Sequence, residues 1–265
     1  MLTLHTLASG SEGNCLLLSD GITHLLVDAG ISARRTTSAL SQLGLSADDL
    51  SAILITHEHS DHICGLRTLL KHHAIPLYAS SPTARQLSYR IAGIEPVLHS
   101  VDTTEQFSVG TLHVQVFATS HDSACSVDYR VDSDSGSVGI LTDTGYVTES
   151  AATALRGVDL LVLESNHDVE WLRSGPYPLY LKERILGRQG HLSNDCAADF
   201  AVQMAERGTQ EIVLAHLSKE NNSPARALDT VKRALGVNGF SIPVSIAPRS
   251  ELSHAYCVEV PVCKK

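Results

Sequence analysis

From Leu2 to Ala8 apolar and polar side chains take turns, with Leu2 and Leu4 set against Thr3 and His5, the period of a strand. Ser9-Gly10-Ser11-Glu12-Gly13-Asn14 breaks it. Cys15–Ser19 and Thr23–Asp28 read as two strands joined across Asp20-Gly21, a two-residue hairpin signal. Ile31 to Leu43 predicts a helix stopped by Gly44. The apolar run Ile53-Leu54-Ile55 predicts a buried strand, and Ile63 to Lys71 a helix. Ile75–Ala79 is the next strand, and Ser81-Pro82 opens a helix ending near Gly93. Strands follow at Phe107–Val109, Leu112–Ala118, Ser126–Val131 and Val138–Thr142, the last two joined by the turn Ser133-Asp134-Ser135-Gly136. A helix over Thr148–Arg156 leads to strand Asp159–Leu163, and Ser193 caps a helix running to Glu206. Strand Glu211–His216, a helix from Ser223-Pro224, and strands near Val244–Ala247 and Ala255–Val260 complete the chain.

Strands in two batches, each followed by helices, predict an α/β (α+β) architecture of two β-sheets packed face to face with helices outside. No low-complexity linker divides the 265 residues, so the expectation is one domain over 1–265. Composition adds little: 43% hydrophobic and 18% charged residues describe an ordinary globular chain. The start, Met1-Leu2-Thr3-Leu4-His5, carries no basic leader, and no apolar run reaches the ~18 residues of a membrane span, so a cytoplasmic location is expected. Six cysteines without a C-x-x-C pair read as reduced, mostly buried small apolar residues. A net charge of −9 argues against a protein that coats nucleic acid non-specifically. Against that balance, Lys182, Arg184 and Arg188 cluster before His191, either to meet phosphates or as a solvated helix face.

The chemistry concentrates in Thr56-His57-Glu58-His59-Ser60-Asp61-His62, directly after the buried strand. A strand that stops at imidazoles and carboxylates presents them at a sheet edge. His57 and His59 suit one cation, Asp61 and His62 a second. Imidazole and carboxylate without thiolate suit Zn²⁺, Mn²⁺ or Fe, and a metal pair is a common device for phosphoester hydrolysis. Three more strand-end residues come later: His121 after Val114–Phe117, Asp143 after Val138–Leu141, and His216 after Ile212–Leu214.

This H-x-H-x-D-H heptad with its later His, Asp and His resembles the metallo-β-lactamase fold superfamily over about residues 2 to 250. The resemblance implies an αββα sandwich with two mixed sheets and two divalent metal ions. It places His57, His59 and His121 on one ion, Asp61, His62 and His216 on the other, and Asp143 between them, with a bridging hydroxide as nucleophile. Asp28 matches an early Asp that orients the ligand loop, although a strand-end turn explains it as well. Ser11 and Asn14 lie in the Gly/Ser loop, which is either a turn or a cradle for phosphate.

Four further segments resemble the bacterial YycJ/WalJ group, related to RNase Z: Leu7–Cys15, Glu164-Ser165-Asn166-His167-Asp168, Gly190-His191-Leu192-Ser193-Asn194 and His216-Leu217-Ser218-Lys219-Glu220-Asn221-Asn222. So does Gly175–Ile185 between them. That group implies a 5′→3′ double-stranded DNA exonuclease linked to mismatch repair, with Asp61, Asp143 and His191 catalytic. His191 would serve the leaving group or a phosphate oxygen, and its alternative is a structural role at a helix start. His167 and Lys219 are candidates for substrate contact, His167 equally for structure. Neither an exosite arm of the RNase Z kind nor a β-CASP-like domain is evident in the sequence. Two competing readings are a small cyclic phosphodiesterase of the PhnP kind and a regulatory protein with a structural metal site.

Overall fold

The computed structural model describes residues 1–258. Its first sheet draws on β1 (Leu2–Ala8), β2 (Cys15–Ser19), β3 (His24–Val27), β4 (Ala52–Ile55), β5 (Leu77–Ser80) and β6 (Leu98–Val101). The second takes β7 (Gln106–Val109), β8 (Leu112–Ala118), β9 (Val127–Ser133), β10 (Gly136–Leu141), β11 (Leu160–Glu164), β12 (Glu211–Ala215) and β13 (Val244–Ile246). β14 (Tyr256–Val258) returns to the first sheet beside β1. The sheet orders are β14-β1-β2-β3-β4-β5-β6 and β13-β12-β11-β10-β9-β8-β7. Each sheet is antiparallel through one half and parallel through the other, with β3 to β6 parallel in the first and β10 to β13 in the second.

The central strands are covered on both faces and read as apolar runs, while β1 and β6 to β8 keep exposed or half-buried polar positions. The period of two still sorts their side chains. Leu16, Leu18, Ala52 and Leu54 meet Val114, Val116, Val138 and Ile140 in the seam between the sheets. Leu17, Ile53 and Ile55 point the other way, onto helices α1 (Ala33–Gln42), α3 (Leu66–His72) and α4 (Ser81–Arg90). Leu161, Leu163, Ile212 and Leu214 likewise meet α5 (Glu149–Ala154), α8 (Asn194–Ala205) and α9 (Pro224–Val237). The order is helix, sheet, sheet, helix, as the sequence pattern predicts.

Several expectations are corrected locally. The helix after the metal loop is broken into α2 (Ser60–Ile63) and α3 at Gly65, where a Cβ would lie 2.0 Å from the Ile31 carbonyl oxygen. The β2–β3 connection spans four residues, with the Asp20 carboxylate accepting from the Ile22 and Thr23 amides. The α4 N-cap is Ser80, one residue early. Strand β6 and helices α6 (Val169–Ser174) and α7 (Leu179–Leu186) are additions. The cysteines are less buried than expected: Cys15 is in the core, but Cys64, Cys196 and Cys257 are exposed and Cys125 is half-buried. Residues 259 and 260 of the expected last strand, and Cys263, lie outside the described residues.

Candidate metal centre

The ligand loop is set by backbone packing. Asn14 N–H donates to the Asp61 carbonyl (2.8 Å), Ala29 N–H to His62 O (2.8 Å) and Gly65 N–H to Ala29 O (2.9 Å). The chains approach so closely that a Cβ on Gly30 would sit 1.6 Å from Asp61 O. The loop from Ser9 to Asn14 spends its amides in the same way. Gly10 N–H donates to Asn14 Oδ1 (2.9 Å), Gly13 N–H to Gly10 O (2.9 Å) and Ser9 N–H to Arg249 O (3.2 Å). Through Asn14 it buttresses the Asp61 backbone.

Three residues at strand ends, Asp28, Asp143 and His216, have φ values of 61°, 48° and 55°. Left-handed backbone is disfavoured for side chains with a Cβ, at roughly 1–2 kcal/mol each. All three lie within one buried cluster, and such strain collects where a side chain must be aimed.

The histidines are aimed by their own hydrogen bonds. Thr56 Oγ1 donates to Asp28 Oδ2 (2.9 Å), so it can only accept from His57 Nδ1 (3.0 Å), leaving the Nε2 lone pair free. That Nε2 faces His59 Nδ1 at 3.1 Å. His62 Nδ1 donates to Asp28 Oδ2 (2.7 Å), His121 Nδ1 to Gly190 O (3.1 Å) and His216 Nδ1 to Glu164 Oε1 (3.0 Å). Each bond fixes one nitrogen as donor and turns the other inward. His216 Nε2 and Asp143 Oδ2 are buried with no hydrogen-bond partner at all.

A buried carboxylate oxygen without a hydrogen bond, ringed by imidazole nitrogens, calls for positive charge beside it. This donor set fits cations. Within 4.8 Å of one another stand His57, His59 and His121, and separately Asp61, His62 and His216. Asp143 lies between, its Oδ2 3.2 Å from His62 Nε2 and its Oδ1 3.8 Å from His121 Nε2 and 3.6 Å from His216 Nδ1. The seven candidate ligands therefore meet in one place, and no described cysteine joins a cluster.

Electrostatics follow from burial among opposed charges. Burial, with His62, His121 and His59 adding to it, holds His57 well below the usual imidazole range. Burial alone would also lower His62, but Asp28 and Asp143 raise it well above that range. His216, pulled against its burial by Asp143, Asp61 and Glu164, reaches about 10. Asp143 is buried, yet His216, His62 and His121 keep its carboxyl well below the usual carboxylate value. Cations at these nitrogens displace protons.

One central residue has no signal in the ligand motif. Glu164, fully buried at the end of β11, accepts from His216 Nδ1 and also from His191 Nδ1 (2.8 Å) through Oε1. Its Oε2 accepts from the Thr144 (3.0 Å) and Leu192 (3.2 Å) amides. Although burial opposes it, His191 and His216 hold Glu164 down at about 2. The sequence offers two hints: the acid ends the apolar run Leu160–Leu163, and it opens a segment that resembles the YycJ/WalJ group. His191 is partly exposed and stands 3.5 Å from Asp143 Oδ1.

The remaining candidates divide. Asp28 is buried against Thr56 and His62, and Asn14 Nδ2 donates to His62 Nε2 (3.1 Å). His167 is buried with neither ring nitrogen partnered, and burial lowers it to about 4. Ser11 is exposed on its loop, and Lys219 Nζ donates to Glu12 Oε1 (3.2 Å) at the surface. The structure brings neither into the histidine clusters.

Residues 23–217 match the model of the beta-lactamase superfamily domain. The chain belongs to this superfamily. Within it, Exodeoxyribonuclease YycJ of Bacillus anthracis is 38% identical over 244 residues, covering 91% of this chain and 92% of that protein. Exodeoxyribonuclease WalJ of Streptococcus pneumoniae is 41% identical over 221 residues, 82% of this chain and 81% of that one. Of solved structures, the metallo-beta-lactamase fold protein YhfI from Bacillus subtilis superposes with a TM-score of 0.73, covering 96% of this chain and 100% of that one. At 18% identity that last likeness speaks for the fold alone. This superfamily member is a metal-dependent hydrolase of the YycJ/WalJ group. No helix among the described residues is long and apolar enough to cross a membrane.

Proposed function

We propose that this hydrolase is a dinuclear phosphodiesterase that shortens DNA from a strand end. The observation that carries the reading is the placement of Asp143. It is a buried carboxylate held between two histidine-rich clusters, with one oxygen left without a hydrogen bond. The relatives named exodeoxyribonuclease support DNA as the polymer. A 5′→3′ direction and a place in mismatch repair follow from the YycJ/WalJ likeness alone. Zn²⁺ and Mn²⁺ both suit the donors.

His57, His59, Asp61, His62, His121, Asp143 and His216 would hold the ions. Divalent ions supply Lewis-acid chemistry, acidifying water and drawing charge from a phosphoryl oxygen. The chain's own contribution is positional. Asp28, Glu164, Thr56 and Gly190 O hold the ligand rings so that lone pairs converge before substrate arrives. His191 Nδ1–H is committed to Glu164, which leaves Nε2 to deliver a proton to the departing strand's oxygen. Glu164 offsets the charge on that ring and fixes its orientation.

The test offers the Mn²⁺- and Zn²⁺-loaded protein 5′- and 3′-labelled duplex DNA, single strands, RNA and a cyclic phosphodiester in parallel. Progressive loss of 5′-terminal nucleotides from DNA supports the reading. Hydrolysis of the cyclic diester with DNA left intact overturns it in favour of a small-molecule phosphodiesterase.

A further inference from the structure

Residues 168–190 leave the metal centre and return to it. Asp168, four residues beyond Glu164, caps α6 by accepting from the Trp171 amide (2.8 Å). Lys182 Nζ on α7 donates to the Arg173 and Gly175 carbonyls (both 2.7 Å), which clamps α6 and α7 into one arm. At the far end Ser120 Oγ donates to Arg188 O (2.8 Å) and His121 Nδ1 to Gly190 O. The arm is thus fixed at its far end on the His121 loop and at its near end by the Asp168 amide donating to Asn221 O (2.9 Å), yet not one residue of α7 is buried.

Apolar and aromatic side chains stand among the charged ones it shows to water. Leu179 is 71% exposed, Tyr180 72% and Trp171 40%. The Arg226 guanidinium covers one face of Trp171 (4.4 Å to the ring centre), and Arg188 lies over Tyr146 (4.2 Å). Arg184 Nε donates to Asp122 Oδ2 (2.5 Å), a carboxylate whose other oxygen is 3.4 Å from His121 Nε2. Within a chain of net charge −9, residues 168–190 hold four basic against three acidic residues. Trp171, backed by a guanidinium on one face, and the exposed ring of Tyr180 suit stacked bases.

We propose that this arm grips an unpaired DNA strand end, stacking bases on Trp171 and Tyr180, with Arg188, which no carboxylate among the described residues pairs, toward the backbone. Only an unpaired strand has base faces to offer, because in a duplex they are stacked on each other. The inference rests on the phosphodiesterase reading above and deepens it.

Trp171 is the chain's single tryptophan, so intrinsic fluorescence reports the contact directly. The metal-loaded protein is titrated with a hydrolysis-resistant phosphorothioate single strand and with a blunt duplex of the same sequence. Saturable quenching is expected at lower concentrations of the single strand. In the Trp171→Ala/Tyr180→Ala variant, with metal content checked against wild type, the ratio of kcat/KM on DNA to that on bis-p-nitrophenyl phosphate should fall about 10- to 100-fold. No quenching, or an unchanged ratio while DNA is still degraded, overturns the arm alone and leaves its exposed rings for a protein partner. Turnover of the small diester without any DNA cleavage by wild type overturns the arm and the DNA reading together.

Discussion

Replacing Glu164 by Gln keeps the shape of the side chain and removes its charge. In the protein Glu164 Oε1 accepts from His191 Nδ1 at 2.8 Å and from His216 Nδ1 at 3.0 Å. A hydrogen bond to a charged group contributes about 1.5–3 kcal/mol, against about 1 kcal/mol for a neutral one. Losing the bond's full charge-assisted value at His191 corresponds to a fall of roughly 10- to 150-fold in kcat. The His216 side of the change falls on metal affinity, by about 10- to 100-fold for an outer-shell partner. The assay therefore runs at saturating Mn²⁺ or Zn²⁺, with bound metal measured in the same samples. With metal restored, kcat on DNA should stay depressed and KM should hardly move. Glu164→Asp, which keeps the charge, should recover part of the rate. If Glu164→Gln cleaves DNA within threefold of wild type once metal is saturating, Glu164 does not position His191 and the proton path is wrong.

Three further outcomes follow from the same geometry. His191→Ala should keep its metal yet lose on the order of 10²–10⁴ in kcat on DNA, and less on a p-nitrophenyl phosphodiester, whose leaving group needs no proton; equal losses on both would reassign His191 to phosphate binding. Asp28→Asn weakens the Asp28–His62 bond (2.7 Å) without touching a candidate ligand, so metal affinity measured by chelator competition should fall about 10- to 100-fold, and an unchanged affinity would refute the ring-orienting role. Because burial lowers folded His167 to about 4 against an ordinary 6.5, the unfolded chain binds the extra proton between those values. Stability from this group is therefore present above pH 6.5 and lost as pH falls toward 4, by about 3 kcal/mol at most. His167→Leu should lose less stability than wild type between pH 7.5 and 5.0 in urea unfolding, and identical losses would show that His167 does not titrate this way.

The sheets and most helices were legible because their signals are local. Apolar runs such as Ile53–Ile55 and Leu161–Leu163 end at polar clusters, and Ser193, Ser223 and Gly44 punctuate helices. The ligand loop was legible for the same reason, since four donors stand within six consecutive residues. Glu164 was not, because its partners His191 and His216 lie 27 and 52 residues away and a lone acid has no spacing to betray it. Helix α7 buries no residue and β6 is a half-exposed edge strand, so neither leaves an apolar stripe to read. The break at Gly65 depends on the Ile31 carbonyl passing beside it, a tertiary contact invisible to periodicity. Ser11 and Lys219 lie in segments that match the YycJ/WalJ pattern, and their side chains sit at the surface, outside the histidine clusters.

The central claim is that two ions share Asp143. Metal content of wild type and Asp143→Ala, each stripped, reconstituted with Mn²⁺ or Zn²⁺ and measured by elemental analysis, tests it most directly. Close to two ions per wild-type chain are expected, with a loss at both positions in the variant and hydrolysis below a tenth of the wild-type rate. A wild-type stoichiometry of one or none, or an Asp143→Ala variant that still holds two ions and still hydrolyses, would contradict it.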